Sequence, residues 1–310
     1  MMHPRILGYL AIIITLVPSM ILMASTEETI DSSTVPHPLD KVAVIGASAS
    51  AGWGLVLRYV DDEELVVTRL VTLNDVLKAC ILRENKRILL EGSGLFFWNP
   101  EGVGGEQARD AREQSPTLLI ALDYLFWFGY GNKGPNGTVI PSGTQGHDAR
   151  LELLEVGLAE LDRFKCPILV GDFPDMSKAV GYMLGASQMP APETLKALNR
   201  RLSEWAGTHP NVTIVPVAGM IESMKLNRPF MAGRQQWPRD SHERFIQRDN
   251  LHPTLDGLIV FTQESMSGFV EANPMIEEDD FDFDLESVRN RIYERNRPEG
   301  TSPNPYSDSE

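Results

Sequence analysis

The chain of 310 residues has two cysteines, Cys80 and Cys166. Two are too few for a disulfide framework, and their separation matches no cysteine metal site. Pairing in an exported chain and burial as two free thiols both stay open. Basic residues are also short, 28 Lys and Arg against 43 Asp and Glu, for a net charge of −15. A surface of that sign repels phosphate, which argues against nucleic acid or an anionic membrane as partner. About half of the excess sits at one end, where residues 277–310 hold eleven acids and four arginines.

One long apolar run is present, Ile6 to Met23, after a short basic start at Arg5 and ahead of the small residues Ala24 and Ser25. This predicts a signal peptide over residues 1–25, hence a secreted or periplasmic protein. The run is also long enough to act as an uncleaved N-terminal anchor, which would be the chain's one membrane contact. No lipobox cysteine accompanies it. Residues 26–39, rich in Ser, Thr, Glu and Asp, read as a linker. Asn136 and Asn211 begin Asn-x-Thr acceptors, which matter only in a eukaryotic secretory route.

The remainder has the apolar content and length for one large α/β domain over residues 40–272. Short apolar runs at Val42–Ile45, Leu65–Val71, Leu118–Ala121, Ile168–Val170 and Val212–Val217 alternate with segments of helical period. The latter include Gly54–Val60, Leu73–Ile81, Asp148–Phe164, Pro192–Ala206 and Leu255–Val270. The alternation predicts a doubly wound, parallel, five-stranded sheet with helices on both faces, in the flavodoxin-like manner. Ligands of such sheets bind beyond the carboxyl ends of the strands, where Ser48, Asp123 and Asp172 fall. A Gly-rich aromatic loop, Glu91 to Trp98, is expected to border the site, and the run Tyr124 to Tyr130 reads equally as core or cleft wall. The acidic end, residues 273–310, reads as a disordered extension.

Two stretches carry chemistry. In Gly46-Ala47-Ser48-Ala49-Ser50, a buried strand meets a glycine turn that presents one serine, and a helix is expected to start near Ser50. In Asp249-Asn250-Leu251-His252-Pro253-Thr254, a carboxylate three residues before a histidine can hold its Nδ1–H and aim Nε2 at a hydroxyl. Taken alone, the first is also an ordinary strand-to-helix turn, and the second a loop in which Thr254 caps the last helix.

Together, in this order and on this scaffold, the two stretches resemble the SGNH, or GDSL, serine hydrolases. That family carries Gly-Asp-Ser-Leu after its first strand and Asp-x-x-His-Pro before its last helix. The resemblance implies ester hydrolysis with Ser48 as nucleophile, His252 as base and Asp249 as its orienting carboxylate, with no cofactor or metal. The substrate it implies is a small-molecule or glycan ester. An O-acylated carbohydrate is the specific expectation, from export and from the aromatics Trp98 and Trp127. Gly94 or Gly92 would be the second-block glycine at the oxyanion hole.

The chain departs from the family at two places. Ala47 stands where the family has Asp. Asp123, in Ala121-Leu122-Asp123-Tyr124, stands where it has the asparagine that donates to the oxyanion. An ionised Asp123 can only accept hydrogen bonds and would repel that charge, a loss of about 10²–10³ in rate for the missing donor. Protonation of Asp123, substitution by Asn99 or Asn132, and a degenerate site are the three ways out. The last corresponds to a weak or inactive SGNH-fold protein that binds a polysaccharide or a surface partner. A carboxylate-lined metal site built from Asp123, Asp172 and His252 is a third reading, with unspecific ligand spacing.

Overall fold

The computed structural model describes residues 36–61, 65–84 and 86–303. The predicted signal or anchor, and the linker up to residue 35, lie outside the described residues. No described helix is long and apolar enough to cross a membrane.

The central sheet is built from β1 (Lys41–Gly46), β4 (Arg87–Gly92), β5 (Leu118–Ala121), β6 (Ile168–Gly171) and β7 (Val212–Val215). All are parallel, in the order β4-β1-β5-β6-β7. Every residue of β5 and β6 is buried, and all of β1 but Lys41. This is why they read as unbroken apolar runs rather than alternating ones. In order along the chain the sheet strands run 2-1-3-4-5, the doubly wound order, with helices on both faces as expected. Its switch point falls at β1, between β4 and β5, and a crevice opens there beyond the strand ends.

The helices are α1 (Leu73–Cys80), α2 (Pro100–Glu113), α3 (Phe126–Tyr130), α4 (His147–Leu161), α5 (Pro192–Ala206), α6 (Val217–Lys225), α7 (His242–Phe245), α8 (Leu255–Ala272) and α9 (Leu285–Asn296). Helix α4 packs against both α2 and α5, and α1, α8 and α9 pack against one another. Two small antiparallel sheets complete the molecule. One joins β2 (Val56–Asp61), β3 (Val66–Leu70) and β10 (Thr301–Pro303), and the other is the hairpin of β8 (Phe230–Ala232) and β9 (Gln235–Trp237). Both cysteines are free; burial pushes the Cys80 thiol up, and that of Cys166 up to about 11.

Three expectations are corrected. Most of the expected helix at 54–60 is strand β2, from Val56 onward: Leu57 and Tyr59 are buried while Val56 is exposed, a period of two. No helix begins near Ser50 either, because residues 47–54 form successive turns, with Gly52 and Gly54 in the left-handed region at φ 76° and 73°. The apolar run at 65–71 pairs with β2 and leaves the central sheet. The second sheet strand is instead β4, whose Ile88, Leu89 and Leu90 pair with Val42, Ala43 and Val44.

The acidic end is the third correction, since residues 273–303 are folded onto the domain. Ile81 bridges Phe281, α9 packs on α1 and α8, and β10 pairs with β2. Phe281, Leu285, Val288 and Ile292 are at most 3 % exposed. The acids that dominate this composition occupy the outward positions and the caps, as where Asp284 accepts the Ser287 N–H at the start of α9. Burying four such side chains is worth roughly 1.5–3 kcal/mol each, comparable to the whole net stability of a domain. Truncation after Asn273 is therefore expected to abolish the cooperative thermal transition, checked by circular dichroism of the shortened chain against the full one.

Candidate active site

The turn after β1 carries Ser48 to the switch point. Gly46 ends the strand with its backbone held on both sides by Gln107 of α2, whose Oε1 accepts the Gly46 N–H at 3.0 Å and whose Nε2 donates to the Gly46 carbonyl at 2.9 Å. A side chain at residue 46 has no room: its Cβ would lie 2.2 Å from Asp123 Oδ1 and 2.4 Å from Ser50 Oγ.

Asp123, just past β5, is not a failed oxyanion donor. Its Oδ1 accepts the Ala47 N–H at 3.0 Å and the Ser50 hydroxyl at 2.6 Å, and its Oδ2 accepts the N–H groups of Ala49 at 2.9 Å and Ser50 at 3.1 Å. Both oxygens are thus engaged by the turn that carries Ser48, which Asp123 braces from its place at the border of the cleft. Ser48 N–H and Gly94 N–H have no acceptor among the described residues. Ser48 N–H is therefore free to meet developing negative charge. Gly94 lies against the Trp53 ring, at 3.4 Å from an added Cβ, and Gly92 pairs with Gly46 at the strand ends; neither lines the cleft. Asn99 caps α2 by accepting the Gly102 N–H, and neither it nor Asn132 reaches the cleft wall.

His252 arrives from 204 residues away. Asp249 Oδ1 accepts the N–H groups of Leu251 and His252, a local turn that Asn250 enters with φ 59°. Oδ2 is thereby set 2.6 Å from His252 Nδ1, and Nε2 lies 2.8 Å from Ser48 Oγ. Asp249 accepts a hydrogen bond from Nδ1–H and so leaves Nε2 to accept from the serine hydroxyl. Burial pushes the Asp249 carboxyl up, but the His252 ring and the two backbone N–H groups outweigh it, so it rests below its ordinary value. Thr254 does cap α8, through the Gly257 N–H at 3.1 Å, so the capping and catalytic readings of this block hold together.

Several residues that matter here carried no signal of their own. Gln247 ties the two halves together, donating to the carbonyls of Trp53 at 2.8 Å and Pro253 at 2.7 Å, while its N–H meets the His252 carbonyl. Trp53 stacks on the His252 ring at 5.6 Å between centroids. Gln107 is the exception, a polar residue among Gly104, Ala108 and Ala111 on the buried face of α2, which the helical period could have flagged.

The cleft encloses about 730 Å³ of atom-free space, part of it open to solvent, and is mostly apolar, with Leu122, Phe126, Val217 and Ile221 among its walls. Of the aromatic run, Tyr124, Phe128 and Tyr130 are core and Phe126 is wall. Trp127, expected in the cleft, is buried against Phe97 and Phe126. Trp98 is exposed, with Lys133 Nζ 4.7 Å above its ring. Asp175 pairs with Lys225 on the surface, and Asp172 lines the cleft. Among the described residues no three His, Cys, Asp or Glu side chains converge as metal ligands.

No protein-family model matches the chain, and no curated protein matches it. Among solved structures it is similar to a gut microbial diltiazem-metabolizing enzyme at TM-score 0.43 and 13 % identity, over 77 % of this chain and 49 % of that one. The chain thus spans about half of that protein's length. It is also similar to a GDSL-like lipase from Parabacteroides merdae at TM-score 0.39 and 15 % identity, over 75 % of this chain and 97 % of that one. In its own sheet order, its serine turn after β1 and its Asp-x-x-His-Pro block before α8, the chain resembles the SGNH hydrolases.

Two outcomes follow from this geometry. Asp123→Asn would raise activity if the residue were a defective oxyanion donor. As a brace it turns an amide donor toward N–H groups, so kcat should fall at least about tenfold and the melting temperature should drop, at a cost of roughly 1–3 kcal/mol per unsatisfied group. The second concerns Asp172, whose carboxyl is pushed up to about 6 by burial, against the Ala218 N–H bond that favours its charge. The unfolded chain would ionise near 3.9, so the folded state is penalised as pH rises from about 4 to 6, and in full above that. Melting curves of Asp172→Asn should therefore run above those of the parent at pH 7.5 and coincide with them near pH 4.

Proposed function

We propose that the chain is a serine ester hydrolase of SGNH type, exported on its N-terminal segment. The observation that carries the proposal is the unbroken hydrogen-bond path from Asp249 through His252 to Ser48 at the switch-point cleft. Ser48 Oγ attacks the acyl carbon while His252 Nε2 takes its proton, and Asp249 stabilises the imidazolium that forms. The Ser48 N–H receives the charge on the carbonyl oxygen. His252 then returns the proton to the departing alkoxide, and water repeats the sequence on the acyl-enzyme.

A small-molecule or glycan ester is the substrate class. The exposed Trp53, stacked on the His252 ring, offers a flat surface on which a sugar ring could rest, whereas Trp127 contributes no support. The alternative of an inert polysaccharide binder drew on Asp123 opposing the oxyanion. With both its oxygens occupied by the turn, Asp123 no longer favours that alternative.

A fluorophosphonate probe should label the full chain at Ser48, and Ser48→Ala should lose both the label and hydrolysis of p-nitrophenyl acetate by at least about 10³-fold. Folded protein that takes no label would sink the esterase assignment.

A further inference from the structure

Three titratable side chains border the cleft among the described residues: Asp123, His252 and Asp172. The first is spent on the turn that holds Ser48, the second on Ser48 and Asp249. Asp172 is left over. It ends β6, and its Oδ1 accepts the Ala218 N–H at 2.6 Å, in the first turn of α6. Besides the Ala218 bond, the backbone N–H groups of Val217 and of Asp172 itself favour its charge, and no Lys, Arg or His pairs with it among the described residues. Around it the wall is apolar, with Leu122, Pro174, Met176, Val217 and Ile221.

A carboxylate so placed is costly. A half-buried charge without a counter-ion loses hydration that the nearby backbone N–H groups do not fully restore, so burial pushes the group up to about 6, and at neutral pH it is still ionised. Supporting α6 alone does not require that cost, since an asparagine or serine would accept the same N–H while remaining neutral. A carboxylate without a counter-ion on the apolar wall of a cleft is instead what recognises a cation with an alkyl stem. The ammonium supplies the missing charge and the stem fills the apolar wall. A sugar hydroxyl would form a neutral-donor bond, about half as strong, and would leave its other polar groups against Leu122 and Ile221. The overall charge of −15 draws cations toward the surface in the same sense.

We infer that Asp172 makes this wall of the cleft a subsite for a protonated amine, so that the ester arm lodged there carries an ammonium group on an alkyl stem. The statement about the ester rests on the hydrolase reading above; the subsite itself does not.

The test uses the full chain and two isosteric series of esters. For the acyl arm these are p-nitrophenyl heptanoate, 6-hydroxyhexanoate and 6-aminohexanoate; for the alcohol arm, the acetates of pentanol, 1,4-butanediol and 4-aminobutanol. In one series the ammonium member should exceed both others in kcat/KM by at least about tenfold, or 1.4 kcal/mol, and Asp172→Asn should bring that ratio close to one. Equal rates within both series, a hydroxyl member that matches the ammonium one, or a preference that survives Asp172→Asn each overturn the proposal. The wild-type ratios decide it even if the variant does not fold. Independently of chemistry, calorimetric titration should show hexylammonium binding at least about tenfold tighter than hexanol. If no ester turns over and no fluorophosphonate label is taken, the hydrolase reading fails, and that titration still decides the subsite.

Discussion

The carboxylate of Asp123 is the fixed point of the active site. The turn from Ala47 to Ser50 has no helix to absorb its N–H groups, and three of them, with the Ser50 hydroxyl, converge on the two oxygens of one side chain. A negative charge gathered by backbone donors in this way ties the end of β5 to the turn after β1, the two strands that flank one side of the switch point. The same closeness excludes any side chain at Gly46. Where SGNH hydrolases carry a carboxylate on the turn itself, this chain has Ala47 and brings its carboxylate from across the crevice.

The second half of the site is attached to the first by Gln247 and Trp53 rather than by the sheet. Gln247 holds the carbonyl of Trp53 and the backbone around His252 in one set of hydrogen bonds, and the Trp53 ring covers the imidazole. Proton transfer tolerates little misplacement, so a short Ser48–His252 contact requires that these two loops move as one body. Beside them, Asp172 lines the cleft without a counter-ion among the described residues. Polar groups kept in apolar surroundings at a cost to stability are where local rules give way to ligand recognition.

Much of the scaffold was legible because the strands are covered on both faces. Runs such as Val42–Ile45 and Ile168–Val170 can belong to little else, and α5 lies where the helical period places it. Legibility failed where periods compete. Residues 54–60 have apolar residues enough for a helix, and only the burial of Leu57 and Tyr59 against the exposure of Val56 marks most of them as β2. It failed again for residues 277–297, where outward acids hide the few inward residues, Phe281, Leu285, Val288 and Ile292, that hold the segment down. Trp127 was misplaced for a related reason, since a strand-end aromatic can face either way.

Ser48, Asp249 and His252 were determined by the sequence itself, because each belongs to a local pattern whose geometry is set within a few residues: a strand, a glycine and a serine, or an Asp three residues before a His. What Asp123 does was decided only by the tertiary structure. Residue type shows that it accepts hydrogen bonds, but not which donors surround it, and those donors lie 73 to 76 residues away. The same holds for Gln247, Gln107 and Asp172, since the value of a polar group depends on the neighbours that folding brings to it and the water that folding removes.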